Sequence, residues 1–446
     1  MKKILIKNGH IVNNGKILKK DILISGERIE KISKKILNEE NLYKTVDAKG
    51  KYILPGLIDD QVHFREPGFP QKGNIASESR AAVAGGVTSY IEMPNTFPQT
   101  ISLEALDEKF EIASKSSWAN YSFMFGGTNE NFQILKELDQ RKVAGLKLFL
   151  GSSTGNMIVD NKEVLRIFFS NTDLPISVHC EDEKTIKKNL NYYQNLYGDN
   201  IPISLHPKIR SDEACYSSSS MAINLARETG ARLHVFHLST SRETKLFSNS
   251  LHLKDKKITA EVCIHHLWFN DKDYKRLGSK IKWNPAIKTK NDQDSLWRAL
   301  NDDRIDIIAS DHAPHTLKEK NNGYLKSPSG GPLVQHTLLA LITCFRKGKI
   351  TLEKIVEKAC HNPAILFKIK DRGFIKENFF ADLVIIDLND TQKVTKENIY
   401  YKCGWSPFEE IEFLGKINST WVNGKCVFEN GNFHKKPNSK QLIFNR

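Results

Sequence analysis

Three short segments carry side chains suited to metal-assisted hydrolysis. They are Gln61–Gly68, which contains His63 and Arg65, Ala144–Leu150, which contains Lys147, and Ser310–His315, which contains Asp311. Between the last two, further apolar runs end in His179 and His237. Neutral imidazoles and carboxylates are ordinary nitrogen and oxygen ligands of Zn²⁺. Any one of these histidines alone reads more readily as a packed structural side chain; several at the ends of different apolar runs reverse that balance. Lys147 is unusual in such company, because an ammonium has no lone pair. A buried lysine whose pKa is lowered can lose its proton and take up CO₂ as a carbamate, a carboxylate-like group able to bridge two cations. The flanking Leu146, Leu148 and Phe149 would supply the desolvation. The competing reading is a lysine that snorkels from a strand end to solvent, and spacing alone leaves the two even. Arg65 offers a planar cationic fork two residues past His63, which suits a carboxylate-bearing substrate. A surface salt bridge to Glu66 or Glu78 is its bland alternative, and the position beside His63 favours the former.

The elements that must position these residues are strands. Apolar strand-like runs fall at about 57–62, 88–93, 121–126, 145–149, 175–179, 232–237, 258–264 and 305–310, with helical patterns such as Ile75–Ala84 and Cys215–Arg227 between them. This alternation predicts an α/β fold, a (β/α)₈ barrel with its chemistry at the C-terminal strand ends. A doubly wound open sheet is the rival, but its phosphate-binding glycine fingerprint is absent. Gly151–Gly155 has no lysine partner and reads as an ordinary βα loop. Residues 1–54 and 372–446 have a different texture, with short strands and Asn-Gly turns such as Asn423-Gly424. Neither end suffices alone, so the expectation is one small composite β-sandwich beside a barrel at 55–371, with a lysine- and asparagine-rich tail that frays.

The chain of 446 residues is 39% hydrophobic and 26% charged, enough for a large core and more than one domain. Its formal charge of +14 is spread over the whole length, and runs such as Lys254–Lys257 mix signs. Without zinc-finger spacing, a GXXG loop or an aromatic-basic stripe, no nucleic-acid partner is expected. The seven cysteines include no CxxC pair, and Cys180, Cys263 and Cys344 read as small core residues. The basic-then-apolar start, Met1–Ile6, is cut off by Lys7–Gly9 before a signal peptide forms. No apolar run reaches the ~18 residues of a membrane span. A soluble, cytoplasmic protein with no membrane partner is expected.

Longer motifs sharpen the reading. Pro55–Asp59 followed by Val62–Gly68, Met93–Thr96, Asp311–His315 and His361–Ala364 resemble, in order, signature segments of the amidohydrolase superfamily. Within it the chain is most similar to the dihydroorotases of long bacterial type, from about residue 4 to 435. The resemblance implies a metal set of Gln61 and His63 at the His-x-His position, Lys147 as the N6-carboxylated bridge, His179, His237 and Asp311, holding one or two Zn²⁺ per subunit. It implies that Arg65, Asn95 and His315 bind the substrate carboxylate, that Asn284 contacts the ring, and that Asp311 is the catalytic base and then acid. The implied reaction is the reversible closure of N-carbamoyl-L-aspartate to L-dihydroorotate in pyrimidine synthesis, with a small molecule as the partner. A homodimer is also implied. The alternatives are a non-catalytic dihydroorotase-like partner of aspartate carbamoyltransferase, which Gln61 motivates, and a related cyclic amidohydrolase of allantoinase or dihydropyrimidinase type. Allantoinases carry Asn at the position of Arg65, and dihydropyrimidinase substrates lack the carboxylate. His265 and His266 are assigned to roles behind the ligands. His234, three residues before His237, should face the other side of its strand and pack, and Lys282 should sit near the substrate.

Gln61 departs from the pattern, standing where the family usually has His. Its carbonyl oxygen is a weaker, neutral donor. Asp59 and Asp60 add charge nearby, although strand alternation would point Asp60 away from both Gln61 and Asp59. Three readings stay open: two ions with the first held less tightly, a single ion on the Lys147 carbamate, His179 and His237, or an inactive homologue. A subgroup of long dihydroorotases looks similar at this position. If Gln61 is a weak ligand, Gln61→His tightens one ion without necessarily raising turnover, since surrounding groups tune the site too. Zinc titration of the apoprotein reads this directly; an unchanged stoichiometry of one ion would show that position 61 does not touch metal.

Overall fold

Eight strands with both faces buried form a parallel barrel. They are β1 (Leu57–Val62), β2 (Val87–Glu92), β3 (Asn120–Gly126), β4 (Gly145–Phe149), β5 (Ile176–His179), β6 (Leu233–Val235), β7 (Ile258–Cys263) and β8 (Ile307–Ala309). Each pairs in parallel with the next. A bridge between Val62 and His312 joins the end of the series back to β1, and His63 N donates to His312 O at 2.7 Å. The computed structural model describes residues 3–38, 42–151, 157–436 and 438–446; of the 151–155 loop only Gly151 is among them. The strands carry continuous apolar runs because helices cover the outer face while side chains fill the inner one. Those helices have sequence-encoded ends. Helix α1 (Ile75–Ala84) starts on an Asn74 capping box, and α2 (Asp212–Thr229) starts on Ser211 and stops at Gly230, whose φ is +75°.

The terminal segments interleave. One seven-stranded sheet runs Asn432–Phe433, Lys425–Glu429, Lys416–Val422, Leu383–Asp387, Tyr52–Pro55, His10–Asn13, Lys16–Lys19. A four-stranded sheet of Arg28–Ser33, Asp21–Ser25, Ile4–Lys7 and Lys44–Asp47 lies with it around Ile6, Ile22, Ile24, Ile53, Ile385 and Trp421. The tail does not fray as expected. Leu442 and Phe444 are buried with Ile58, Met124, Phe236 and Phe367, and the Arg446 guanidinium donates to the carbonyls of Val143, Ala144 and Phe367. Two apolar side chains at alternate positions give this polar segment one face to bury, and the inner floor of the barrel receives it. No helix among the described residues is long and apolar enough to cross a membrane.

One buried polar network ties the terminal sheet to the barrel. Arg372 pairs with Asp382 and donates to Asn423 Oδ1 at 2.9 Å. Asn423 Nδ2 donates to Asn120 Oδ1 at 2.8 Å, and Asn120 Nδ2 donates to Asp382 Oδ2 at 3.3 Å. Asn120 opens β3, so the network spans both parts. Replacing Arg372 by Leu would strand a buried carboxylate. Urea denaturation should show Arg372→Leu destabilised by ~3 kcal/mol or more; a loss within experimental error would show that the docking does not depend on this pair.

Candidate metal centre

Nine of the residues singled out by sequence line one cavity at the C-terminal ends of the strands: Gln61, His63, Arg65, Asn95, Lys147, His179, His237, Asn284 and Asp311. The tenth, His315, stands behind Arg65. β1 and the turn after it supply the first three, β4 supplies Lys147, β5 ends on His179, and His237 and Asp311 follow β6 and β8. Arg65, His237 and Asp311 hold positive φ values of 70°, 41° and 48°. Non-glycine residues pay for that geometry with strain, and three such positions converge on one cavity, as strained residues do at functional sites.

The imidazoles are held by fixed partners. His63 Nδ1–H donates to Asn95 Oδ1 at 2.8 Å, which turns its Nε2 lone pair toward Asp311, 3.4 Å away. His179 Nε2 lies 3.1 Å from Glu181 Oε2, and its Nδ1 faces His237 Nε2 at 3.0 Å. Burial lowers the pKa of all three, so they are neutral imidazoles near pH 7. Glu181 is itself fully buried. Desolvation opposes its charge, but Arg210 and His179 outweigh it and hold the carboxyl at about 2. Lys147 Nζ has no hydrogen bond among the described residues and sits 4.1 Å from the Phe236 ring centre. Desolvation brings it down to about 7 against the pull of Glu261 and Asp311, so a large share is unprotonated amine near neutrality. Converging neutral nitrogens, a carboxylate and an unbonded buried amine suit a cation, so the donor set fits Zn²⁺ or a similar ion.

The floor of the cavity differs from expectation. Gln61 Oε1 lies 3.5 Å from Cys263 Sγ, which is 3.2 Å from Glu261 Oε1. Below it, Asp60, His234 and Glu261 are wholly buried, with ligand atoms within 4.8 Å of one another, a candidate group for a divalent metal. Asp60 and His234 therefore face inward, where alternation had pointed them away from Gln61 and His237. The physical reason lies in the backbone. The β1 register shifts between Asp59 and Val62, and His237 leaves the extended conformation. Asp59 instead accepts from Ser310 N, just past the end of β8, at 3.2 Å. Glu181 and Glu261 escaped the sequence reading, which named Asp60 but turned it the wrong way; an acid inside an apolar strand, or shortly after a strand-end histidine, was their only signal.

On the substrate side, Arg65 is buried. Its Nε donates to Pro314 O at 3.0 Å, and no ion pair to a carboxylate forms among the described residues. The alternative partner Glu78 is taken by His312 at 2.9 Å. His315 Nδ1 accepts from Lys72 at 3.1 Å, so its Nε2–H donates to Ser329 O at 3.0 Å. Arg65 Nη2 lies 3.0 Å from that same Nε2, which is spent as a donor and leaves the fork to find its acceptor in the cavity. Asn284 Oδ1 has no hydrogen bond among the described residues. Lys282 is not at the cavity wall; its amine donates to Tyr324 O and Ser327 O, both at 2.6 Å, and so pins the neighbouring loop. His265 stacks on Trp283 at 4.6 Å, and His266 lies 3.2 Å from Pro285 O, so both shape the loop behind the cavity.

Residues 52–427 match the profile of the Amidohydrolase family. A dihydroorotase of Methanosphaera stadtmanae is 32% identical over 98% of both chains. An allantoinase of Desulfitobacterium hafniense is 30% identical over 98% of both. Among solved structures, the L-hydantoinase (dihydropyrimidinase) of Arthrobacter aurescens superposes with a TM-score of 0.94 at 26% identity, covering 100% of each chain.

The Glu181 contact fixes which nitrogen of His179 faces the cavity. Its loss should therefore weaken metal binding without removing a ligand. Glu181→Gln is expected to lower zinc affinity about ten- to a hundredfold, as losses of ligand-orienting partners do. Chelator competition measures this, and an unchanged affinity would show that His179 is oriented without Glu181.

Proposed function

Because the chain belongs to the amidohydrolase family, as a metal-dependent cyclic amidohydrolase related to dihydroorotases, allantoinases and hydantoinases, we propose that its substrate is a cyclic amide bearing a carboxylate, and that the reaction is the reversible interconversion of L-dihydroorotate and N-carbamoyl-L-aspartate. The observation that carries this reading is Arg65, a buried guanidinium at the cavity wall with no carboxylate of the described protein to pair with. A buried unpaired cation is costly, and a bidentate substrate carboxylate relieves the cost.

In this reading His63, Lys147 as its carbamate, His179, His237, Asp311 and Gln61 hold one or two Zn²⁺. When bound, the metal supplies an acidified water and polarises the scissile carbonyl. The chain's own groups do the rest. Asp311 accepts the proton of the attacking water at its carboxylate and returns it to the ring nitrogen that leaves. In the closing direction it takes a proton from that nitrogen and gives it to departing water. Arg65 fixes the carboxylate end of the substrate, so the reacting amide meets Asp311 in one orientation. Asn284 Oδ1, unbonded at the wall, accepts a ring N–H. Asn95 keeps His63 in the tautomer that faces Asp311.

A second reading, hydrolysis of a hydantoin or dihydropyrimidine without the carboxylate, is favoured by the overall likeness to the L-hydantoinase structure. The two readings part at Arg65. Arg65→Ala should cut kcat/KM for dihydroorotate by roughly a hundredfold, the scale of a broken buried charge pair, while changing dihydrouracil or hydantoin turnover far less. Equal losses on both would show that Arg65 does not read the carboxylate. Wild-type activity on hydantoins or allantoin with none on dihydroorotate would transfer the assignment to the second reading.

A further inference from the structure

We propose that a divalent transition-metal ion resides in the barrel floor, held by Asp60, His234 and Glu261, separate from any ion in the cavity above. The three side chains come from β1, β6 and β7, and all are fully buried. His234 Nε2 lies 3.5 Å from Asp60 Oδ2 and 3.6 Å from Glu261 Oε2. Neither approach is a hydrogen bond. Both oxygens of Asp60, Glu261 Oε2 and His234 Nε2 have no hydrogen-bond partner among the described residues. Buried polar atoms are seldom left so, and four in one place call for an occupant.

The tautomer of His234 identifies its kind. Thr259 Oγ1–H donates to Leu233 O at 3.1 Å, so the same oxygen accepts from His234 Nδ1–H at 2.9 Å. The Nε2 lone pair then points between two carboxylates. A single proton on Nε2 can bond only one of the two carboxyl groups at a time; a divalent cation engages the imidazole and both together. One imidazole nitrogen with carboxylate oxygens suits Zn²⁺, Mn²⁺, Fe²⁺ or Co²⁺ better than Mg²⁺ or Ca²⁺, which demand more oxygen ligands. Ser177, the register partner of His234 on β5, is buried with its hydroxyl also unbonded, a further oxygen at the same level of the barrel.

Glu261 separates the two levels. Its Oε1 faces upward, accepting from His237 N at 3.4 Å, while Oε2 faces the lower group. His234 and Thr259 also border a cavity at the opposite end of the barrel with Pro175, Arg232 and Leu366, while Asp60 and Glu261 do not reach it. This inference does not depend on which cyclic amide the upper cavity takes.

The experiment separates the two levels. In full-length His179→Ala/His237→Ala protein, purified with Zn²⁺ or Mn²⁺ and dialysed, elemental analysis should find about one ion per chain. Adding Asp60→Asn to that variant should reduce it to none. An empty double variant, or an ion that survives Asp60→Asn, overturns the proposal. Should the variants fail to fold, crystals of the wild-type protein soaked in Zn²⁺ decide it. An anomalous peak within bonding distance of His234 Nε2 supports the site, and its absence means that His234 holds the two carboxylates as an imidazolium. Dihydroorotate turnover is read separately, so loss of the proposed function would leave this result standing.

Discussion

The structure depends on one seam. Where β8 returns to β1, His63 N donates to His312 O, and Asp59 Oδ1 accepts from Ser310 N. Those few bonds set residues more than two hundred positions apart in sequence side by side. They place Asp311 against His63 and Arg65 against Pro314. The seam is reinforced from outside by His312, whose Nδ1 accepts from Leu333 N at 3.0 Å while its other nitrogen bonds Glu78 on α1. A barrel whose last strand slipped by one residue would turn every side chain near the seam to the wrong face.

Around that seam the protein buries many ionisable groups and solves each one differently. Glu92 is buried with Lys109 as an ion pair, and its Oε1 accepts from Phe64 N, so a charge pair steadies the backbone next to His63. Glu181 is paired with Arg210 and orients His179. Lys320 has no carboxylate partner among the described residues and instead donates to the carbonyls of Pro328 and Gly330 at 2.8 Å each, fixing the loop that supplies Gly330 to the cavity wall. The groups left with least compensation are Lys147, Arg65 and the Asp60–His234–Glu261 set. In a low-dielectric interior uncompensated polar groups are expensive, so their concentration at one end and along the axis of the barrel marks where ligands belong.

Much of this was legible in the sequence, and the reasons are physical. Strands buried on both faces appear as continuous apolar runs, so all eight could be placed, and the end of each run located His63, His179, His237 and Asp311. Asn-Gly at 423–424 gave the hairpin its turn, with φ values of 48° and 74°. What stayed hidden depended on backbone irregularity or on distant partners. A shift in β1 and a left-handed His237 defeated simple alternation for Asp60 and His234. The partnership of Glu181 with Arg210 lies in folded space, and so does the use of Lys282 as a loop clamp. The tail looked polar because its buried residues, Leu442 and Phe444, are only two and follow a long run of polar side chains.

The interleaved terminal sheet has a consequence for how the chain is made. Ile53 pairs with Ile385 in the finished sheet. On a ribosome adding about 5–20 residues per second, that partner emerges only after tens of seconds. Until then Tyr52–Pro55 presents an open apolar edge, although the His10–Asn13 strand on its other side is already available. The barrel must begin to fold on a strand platform that is only half built. Nascent chains therefore pass through a period of exposure to strand-edge association, and the speed of translation through the barrel, rather than the stability of the finished protein, sets how long it lasts.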